Sequence, residues 1–182
     1  AYLGYLLDPL HHIPWCCNRE VHTTMNMQRW HKIAIGGASS ILILTALVST
    51  FEPSRTPTVA YRDVTGVWTN CNGNTHGVDP KEVVTPSMCA EINRYNEEQA
   101  LKSLDKLVHV PLTNNQKAAF SDIIFNIGED KFKHSTMLRL INEGKPLEAC
   151  KELLRWVYAG GKKLPGLVAR RQAEYTICIT PN

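Results

Sequence analysis

From Ile33 to Phe51 the chain reads IAIGGASSILILTALVSTF and carries no charge. An uncharged run of this kind must leave water, either in a bilayer or in a protein core. It has about the minimum length for a membrane-spanning helix. Arg29 and Lys32 precede it, which favours an N-terminus that stays inside. Gly36, Gly37, Ala38, Ser39, Ser40, Thr45, Ala46, Ser49 and Thr50 make much of it small or weakly polar, so its transfer energy is marginal. A cleaved signal peptide, a permanent anchor and a buried core helix all fit the pattern, with Ala46 to Thr50 offering small residues for processing. The run leads directly into Glu52 without a linker, so cleavage there leaves that carboxylate at a frayed terminus.

Ahead of the run, residues 1–24 begin without Met and mix His, Pro, the adjacent pair Cys16-Cys17 and single apolar residues without a period. This stretch predicts no fold. It reads as upstream translated material or an N-terminal extension, with Met25 or Met27 as a sensible start. Adjacent cysteines lack the spacing of a zinc-ligand pair.

Behind the run, Phe51 to Thr75 reads FEPSRTPTVAYRDVTGVWTNCNGNT. Two carboxylates, Glu52 and Asp63, flank the β-formers Val59, Tyr61, Val64, Val67, Trp68 and Thr69, and Gly66 and Gly73 supply turns; this predicts a small hairpin. Two carboxyls held on opposite sides of a cleft are what glycosidic cleavage requires. One stays protonated and gives its proton to the leaving oxygen; the other stays ionised and handles water or the developing positive charge. Thr69 follows Asp63 by one hairpin-sized step and is a candidate to hold a water.

A hydrophobic fraction of 43% supports the core of one ordinary domain. A net charge of +3 lacks the heavy basic bias of a nucleic-acid binder. The chain has no Ser-His-Asp set, phosphate loop or HExxH motif.

The run Ala60-Tyr61-Arg62-Asp63-Val64-Thr65-Gly66-Val67-Trp68-Thr69, followed by Cys71-Asn72-Gly73-Asn74-Thr75, resembles the active-site signature of the phage-type lysozymes, the endolysins of glycoside hydrolase family 24. It departs from that pattern at Pro53, where Gly is usual, in a longer interval from Glu52 to Asp63, and at Asn74, where His is common. Further matches are Phe125-Asn126-Ile127-Gly128, Ser135-Thr136-Met137-Leu138, Leu140-Ile141-Asn142-x-Gly144, Arg155 to Gly161, and Pro165-Gly166-Leu167-Val168-x-Arg170-Arg171-x-x-Glu174. The resemblance covers about Phe51 to Cys178.

The resemblance implies an α+β, mainly helical, lysozyme-like fold, with a small hairpin-bearing lobe and a larger helical lobe. It implies hydrolysis of the β-1,4 bond between N-acetylmuramic acid and N-acetylglucosamine in peptidoglycan, by a monomer needing no cofactor, metal or nucleic acid. Glu52 becomes the general acid, Asp63 the base or charge stabiliser, and Thr69 the water-positioning residue. A lytic transglycosylase and a non-catalytic wall-binding protein are the competing functions. Some endolysins of this kind carry a signal-anchor-release segment, which enters the inner membrane and later leaves it for the periplasm. Residues 25–51 fit that description, and the catalytic domain then spans 52–182.

Periodicity supplies the scaffold. Thr85-Pro86 opens a helix that runs through Ile92, Tyr95, Leu101, Leu104 and Val108 to Val110. Thr113 to Gln116 forms a capping box for a helix that Gly128 ends. Pro146 to Tyr158 predicts another amphipathic helix. Phe125 and Asn126 are candidate substrate contacts, with a core position and a helix C-cap as their plainer roles. From Lys145 to Arg171 there are seven Lys or Arg against two Asp or Glu, either a solvated face or an attraction to an anionic wall. Cys71, Cys89, Cys150 and Cys178 allow three pairings. In an oxidising periplasm, the pairing nearest in sequence joins Cys71 to Cys89 and Cys150 to Cys178 without crossing lobes. No Cys lies in the apolar run.

Overall fold

A computed structural model of the chain describes residues 37–51, 59–62, 66–71 and 73–181. The expectations for residues 1–24, Glu52 and Asp63 lie outside the described residues. The architecture is the expected mainly helical α+β arrangement with small antiparallel hairpins.

The apolar run yields helix α1, Ser40–Phe51. Ile43, Leu44, Leu47 and Val48 recur on one face and are 0–1% exposed, while Leu42, Thr45 and Ser49 lie on the exposed side. The buried face packs with Ala118, Ala173 and Ile177. No described helix is long and apolar enough to cross a membrane.

Strands β1, Tyr61–Arg62, and β2, Trp68–Thr69, pair antiparallel, Tyr61 opposite Thr69 and Arg62 opposite Trp68. The Arg62 guanidinium lies 4.7 Å from the Trp68 ring centre and donates to the Gly66 carbonyl at 2.6 Å. One side chain thus closes the turn and covers the indole, a cation–π contact.

Helix α2, Pro86–Leu107, starts as expected, with the Thr85 hydroxyl accepting from the Met88 N–H. It stops earlier than the Val110 expected from periodicity. Val108 is already extended. The Asn142 side chain takes over both loose ends, donating to the Leu107 carbonyl at 3.0 Å and accepting from the His109 N–H at 3.0 Å. A residue distant in sequence therefore sets this helix end.

Helix α3, Asn114–Ile127, begins on the predicted capping box: Thr113 accepts from the Gln116 N–H and Gln116 accepts from the Thr113 N–H. Gly128 ends it with a φ of 88°, a conformation open to glycine and strained for other residues. α3 is buried almost all round from Ala118 to Ile124, as a central helix must be. Short helices α4, Glu129–Lys133, α5, Thr136–Asn142, and α6, Pro146–Glu152, follow. With α3 they bury Phe120, Ile123, Phe132, Met137, Ile141 and Leu153 in the larger core.

The single helix expected from Pro146 to Tyr158 is a correction. α6 gives way at Leu153–Arg155 to a 3-10 turn, and Tyr158–Ala159, strand β3, pairs with Lys162–Lys163, strand β4. Gly160 and Gly161 both have positive φ, 55° and 74°, the pattern of a tight two-residue hairpin turn. That local turn, with the β-forming Trp156-Val157-Tyr158 before it, outweighs the helical spacing of the leucines.

Helix α7, Pro165–Ile179, closes the body against α3. Two disulfides, Cys71–Cys89 and Cys150–Cys178, join the pairs nearest in sequence, as expected. The first ties the β2 turn to α2. The second ties α6 to α7.

Candidate active site

α1 ends at Phe51, the residue before Glu52. The Phe51 ring centre lies 5.9 Å from the Arg170 guanidinium carbon, and Phe125 lies at the same distance from it. Arg170 donates to both oxygens of Asp122, at 2.9 and 2.8 Å. Arg170 is 3% and Asp122 0% exposed. The end of α1 therefore rests on a cation that α3 holds rigidly by a two-pronged bond.

This pair belongs to a larger buried set. On α7, Arg171 donates to Glu174 at 2.5 Å, and both side chains are 0% exposed. Burial is the largest influence on Asp122 and raises its carboxyl, but the Arg170 guanidinium, a hydrogen bond with Glu174 and the Arg171 charge together hold it below its ordinary value. Complete burial pushes the Glu174 carboxyl well up, despite Arg171 beside it. Arg170 and Arg171 cannot serve an exposed basic face, which corrects part of the charge reading for Lys145 to Arg171. Of the remaining cations in that run, Lys145 pairs with Glu143 and Arg155 with Glu152. The i,i+3 spacing of Arg171 to Glu174 and i,i+4 spacing of Arg170 to Glu174 are legible in the sequence; their burial against Asp122 is not.

Thr45, on the outer side of α1, donates to Glu97 of α2 at 2.5 Å. Glu97 is 4% exposed, and burial is the main reason its carboxyl is raised above the ordinary 4.5, with Thr45 opposing and Asp122 and Glu98 adding. Sequence reasoning passed over Glu97, since one Glu in a helix with many polar residues gives no signal of burial.

Thr69 is 2% exposed on β2. Its hydroxyl donates to the Val67 carbonyl at 3.1 Å, which leaves the oxygen lone pairs able to accept a hydrogen bond from water. Next to it, Asn70 and Asn74 exchange two backbone hydrogen bonds of 3.0 Å each. Arg62, the residue before Asp63, is fixed on β1 as described.

Phe125 is half-buried and packs against both large apolar clusters as well as Arg170, so it has a core role whatever else it does. Asn126 is half-buried in the last turn of α3. Among the described residues no group of His, Cys, Asp or Glu could hold a metal ion.

Residues 52–174 match the family model described as phage lysozyme. The chain belongs to the phage lysozyme family. As a phage lysozyme it is a glycoside hydrolase, an endolysin whose substrate is peptidoglycan. It is 34% identical over 123 residues to the SAR-endolysin of Enterobacteria phage P21, covering 66% of this chain and 74% of that protein. It is 33% identical over 150 residues to the SAR-endolysin of Pseudomonas phage phiKMV, covering 80% of this chain and 91% of that one. Among solved structures, the muramidase domain of SpmX from Asticaccaulis excentricus superposes with a TM-score of 0.66 at 30% identity, covering 76% of this chain and 95% of the domain. The matched family region opens on Glu52, the residue that follows α1 in the sequence.

Proposed function

We propose that this phage lysozyme cleaves the β-1,4 bond between N-acetylmuramic acid and N-acetylglucosamine by a two-carboxyl mechanism. Glu52 is the general acid that protonates the leaving oxygen. Asp63 is the base or charge stabiliser. Thr69 accepts a hydrogen bond from the attacking water, and a water held between the carboxyls favours inversion. Phe125 and Asn126 contribute to sugar binding. The observation that carries this reading is the family match beginning at Glu52 directly after a helix end fixed on Arg170. The buried Thr69 hydroxyl, with its proton committed to Val67, supports the water-accepting role.

We infer that the same chain has a tethered form in the inner membrane and a released form in the periplasm, as the name of the relatives suggests. Two features of α1 support this. Ser49 and Thr50 donate to the carbonyls of Thr45 and Ala46, so these hydroxyls stay satisfied within the helix in either solvent. Four apolar side chains buried against the body are worth roughly 6–12 kcal/mol before ordering costs, enough to compete with a bilayer for a helix of small residues.

The test of the catalytic assignment is Glu52→Gln, an isosteric change that removes the proton donor. Lysis of peptidoglycan is abolished while the circular dichroism spectrum is kept. Mass spectrometry of the muropeptides released by the parent shows reducing ends. Anhydro ends reassign the chain to a transglycosylase, and near-parental lysis by Glu52→Gln removes Glu52 from the site.

A further inference from the structure

Two segments carry the proposed chemistry, α1 with Glu52 after it and the turn after Thr69, and both are tied to adjacent residues of one helix. Asn96 of α2 donates to the Asn74 side-chain oxygen at 3.3 Å. Glu97, the next residue, accepts from Thr45 of α1. Neither tie is predictable from helix packing alone, since neighbouring helix residues point in different directions.

The Asn74 end is built as a relay. Its side-chain nitrogen donates to the Asn70 side chain at 2.8 Å and to the His76 carbonyl at 3.1 Å, while its oxygen accepts from Asn96. Asn70 and Asn74 are 4% and 6% exposed. An asparagine fits here because its amide donates and accepts at once. Cys71, inside the same turn, is bonded to Cys89, which lies on the face of α2 that also carries Asn96, two helical turns away. Cys71 has a φ of 48°, the only positive value at a non-glycine among the described residues, a conformation that costs energy and persists only where surroundings hold it. The turn beside Thr69 is therefore held at two points along one rail.

We propose that Asn96, acting through Asn74, and Glu97, acting through Thr45, are positioning residues that set the Thr69 turn and the end of α1 in register with each other. Rotation or sliding of α2 moves both segments together, so α1 and the turn beside Thr69 keep their separation. This rests on the catalytic assignment above. A small displacement of one segment alone costs catalysis rather than binding, because binding draws on many contacts while proton transfer depends on a few tenths of an ångström to an ångström.

The experiment uses the full chain with both disulfides intact, checked by mass, and measures initial rates on solubilised peptidoglycan strands over a concentration series, well below each variant's melting temperature. Asn96→Ala and Thr45→Val each lower kcat about ten- to a hundredfold with KM within about twofold. Thr45→Ser, which keeps the hydroxyl, restores kcat. A merely structural role predicts lower melting temperatures with kcat intact, and that result overturns the proposal. A loss confined to KM also overturns it. Glu52→Gln is run alongside. If it is inactive while Asn96→Ala and Thr45→Val keep parental kcat, the positioning role fails and the catalytic assignment stands. If Glu52→Gln is fully active, both fail.

Discussion

Leu44→Ala probes the step on which the proposed site depends, the seating of α1. Leu44 is 0% exposed and packs among Ile43, Leu47, Ala118, Ala173 and Ile177. The change deletes three carbon atoms. At about 0.8 kcal/mol per buried group, the transfer term alone is about 2.4 kcal/mol. The helices lining the site are held by the α3 capping box and by α3–α7 packing, so the cavity collapses only partly and the total rises to about 3–4 kcal/mol. In a protein of this size that lowers the melting temperature by about 6–16 °C. Leu42→Ala is the internal control. It lies on the same helix with the same helix propensity change, but Leu42 is 64% exposed, and its cost stays within about 0.5 kcal/mol. Urea titrations of both variants, followed by circular dichroism and by proteolysis near the N-terminal end of the described body, give the two values. A Leu44→Ala cost equal to that of Leu42→Ala would refute the docking of α1 into the core.

Two further outcomes are expected. Replacing Cys150 and Cys178 together with Ala opens a loop of sequence separation 28; the chain-entropy relation gives a loss of about 3–4 kcal/mol, read as a shift in urea midpoint between oxidised parent and variant, and an unchanged midpoint contradicts it. Glu97→Gln keeps an acceptor for Thr45 but cannot ionise. Because burial raises the Glu97 pKa above its ordinary 4.5, its stabilising contribution is complete below that value and is lost as pH rises through the folded-state value. The variant therefore gains on the parent as pH rises from about 4 toward neutral, and a stability gap that is flat or narrows with pH removes the argument.

Local chemistry wrote much of this protein plainly. Thr85-Pro86, the Thr113–Gln116 capping box and Gly128 each act within one helical turn, so helix starts and one stop follow from residues next to them. The hairpin carrying Thr69 follows from β-formers around Gly66, and the two disulfides follow the shortest sequence separations. The uncharged run demanded burial, but composition cannot say in what. Only the tertiary structure supplies Ala118, Ala173 and Ile177 as the surface that receives α1. The same limit explains the end of α2, decided by Asn142 from another helix, and the burial of Arg170 and Arg171, which charge counting assigns to solvent. Desolvation energies depend on what surrounds a group in space. The sequence shows which residues can ionise or donate, and the fold alone decides that Asp122 faces Arg170 and that Asn96 and Glu97 reach two separate segments.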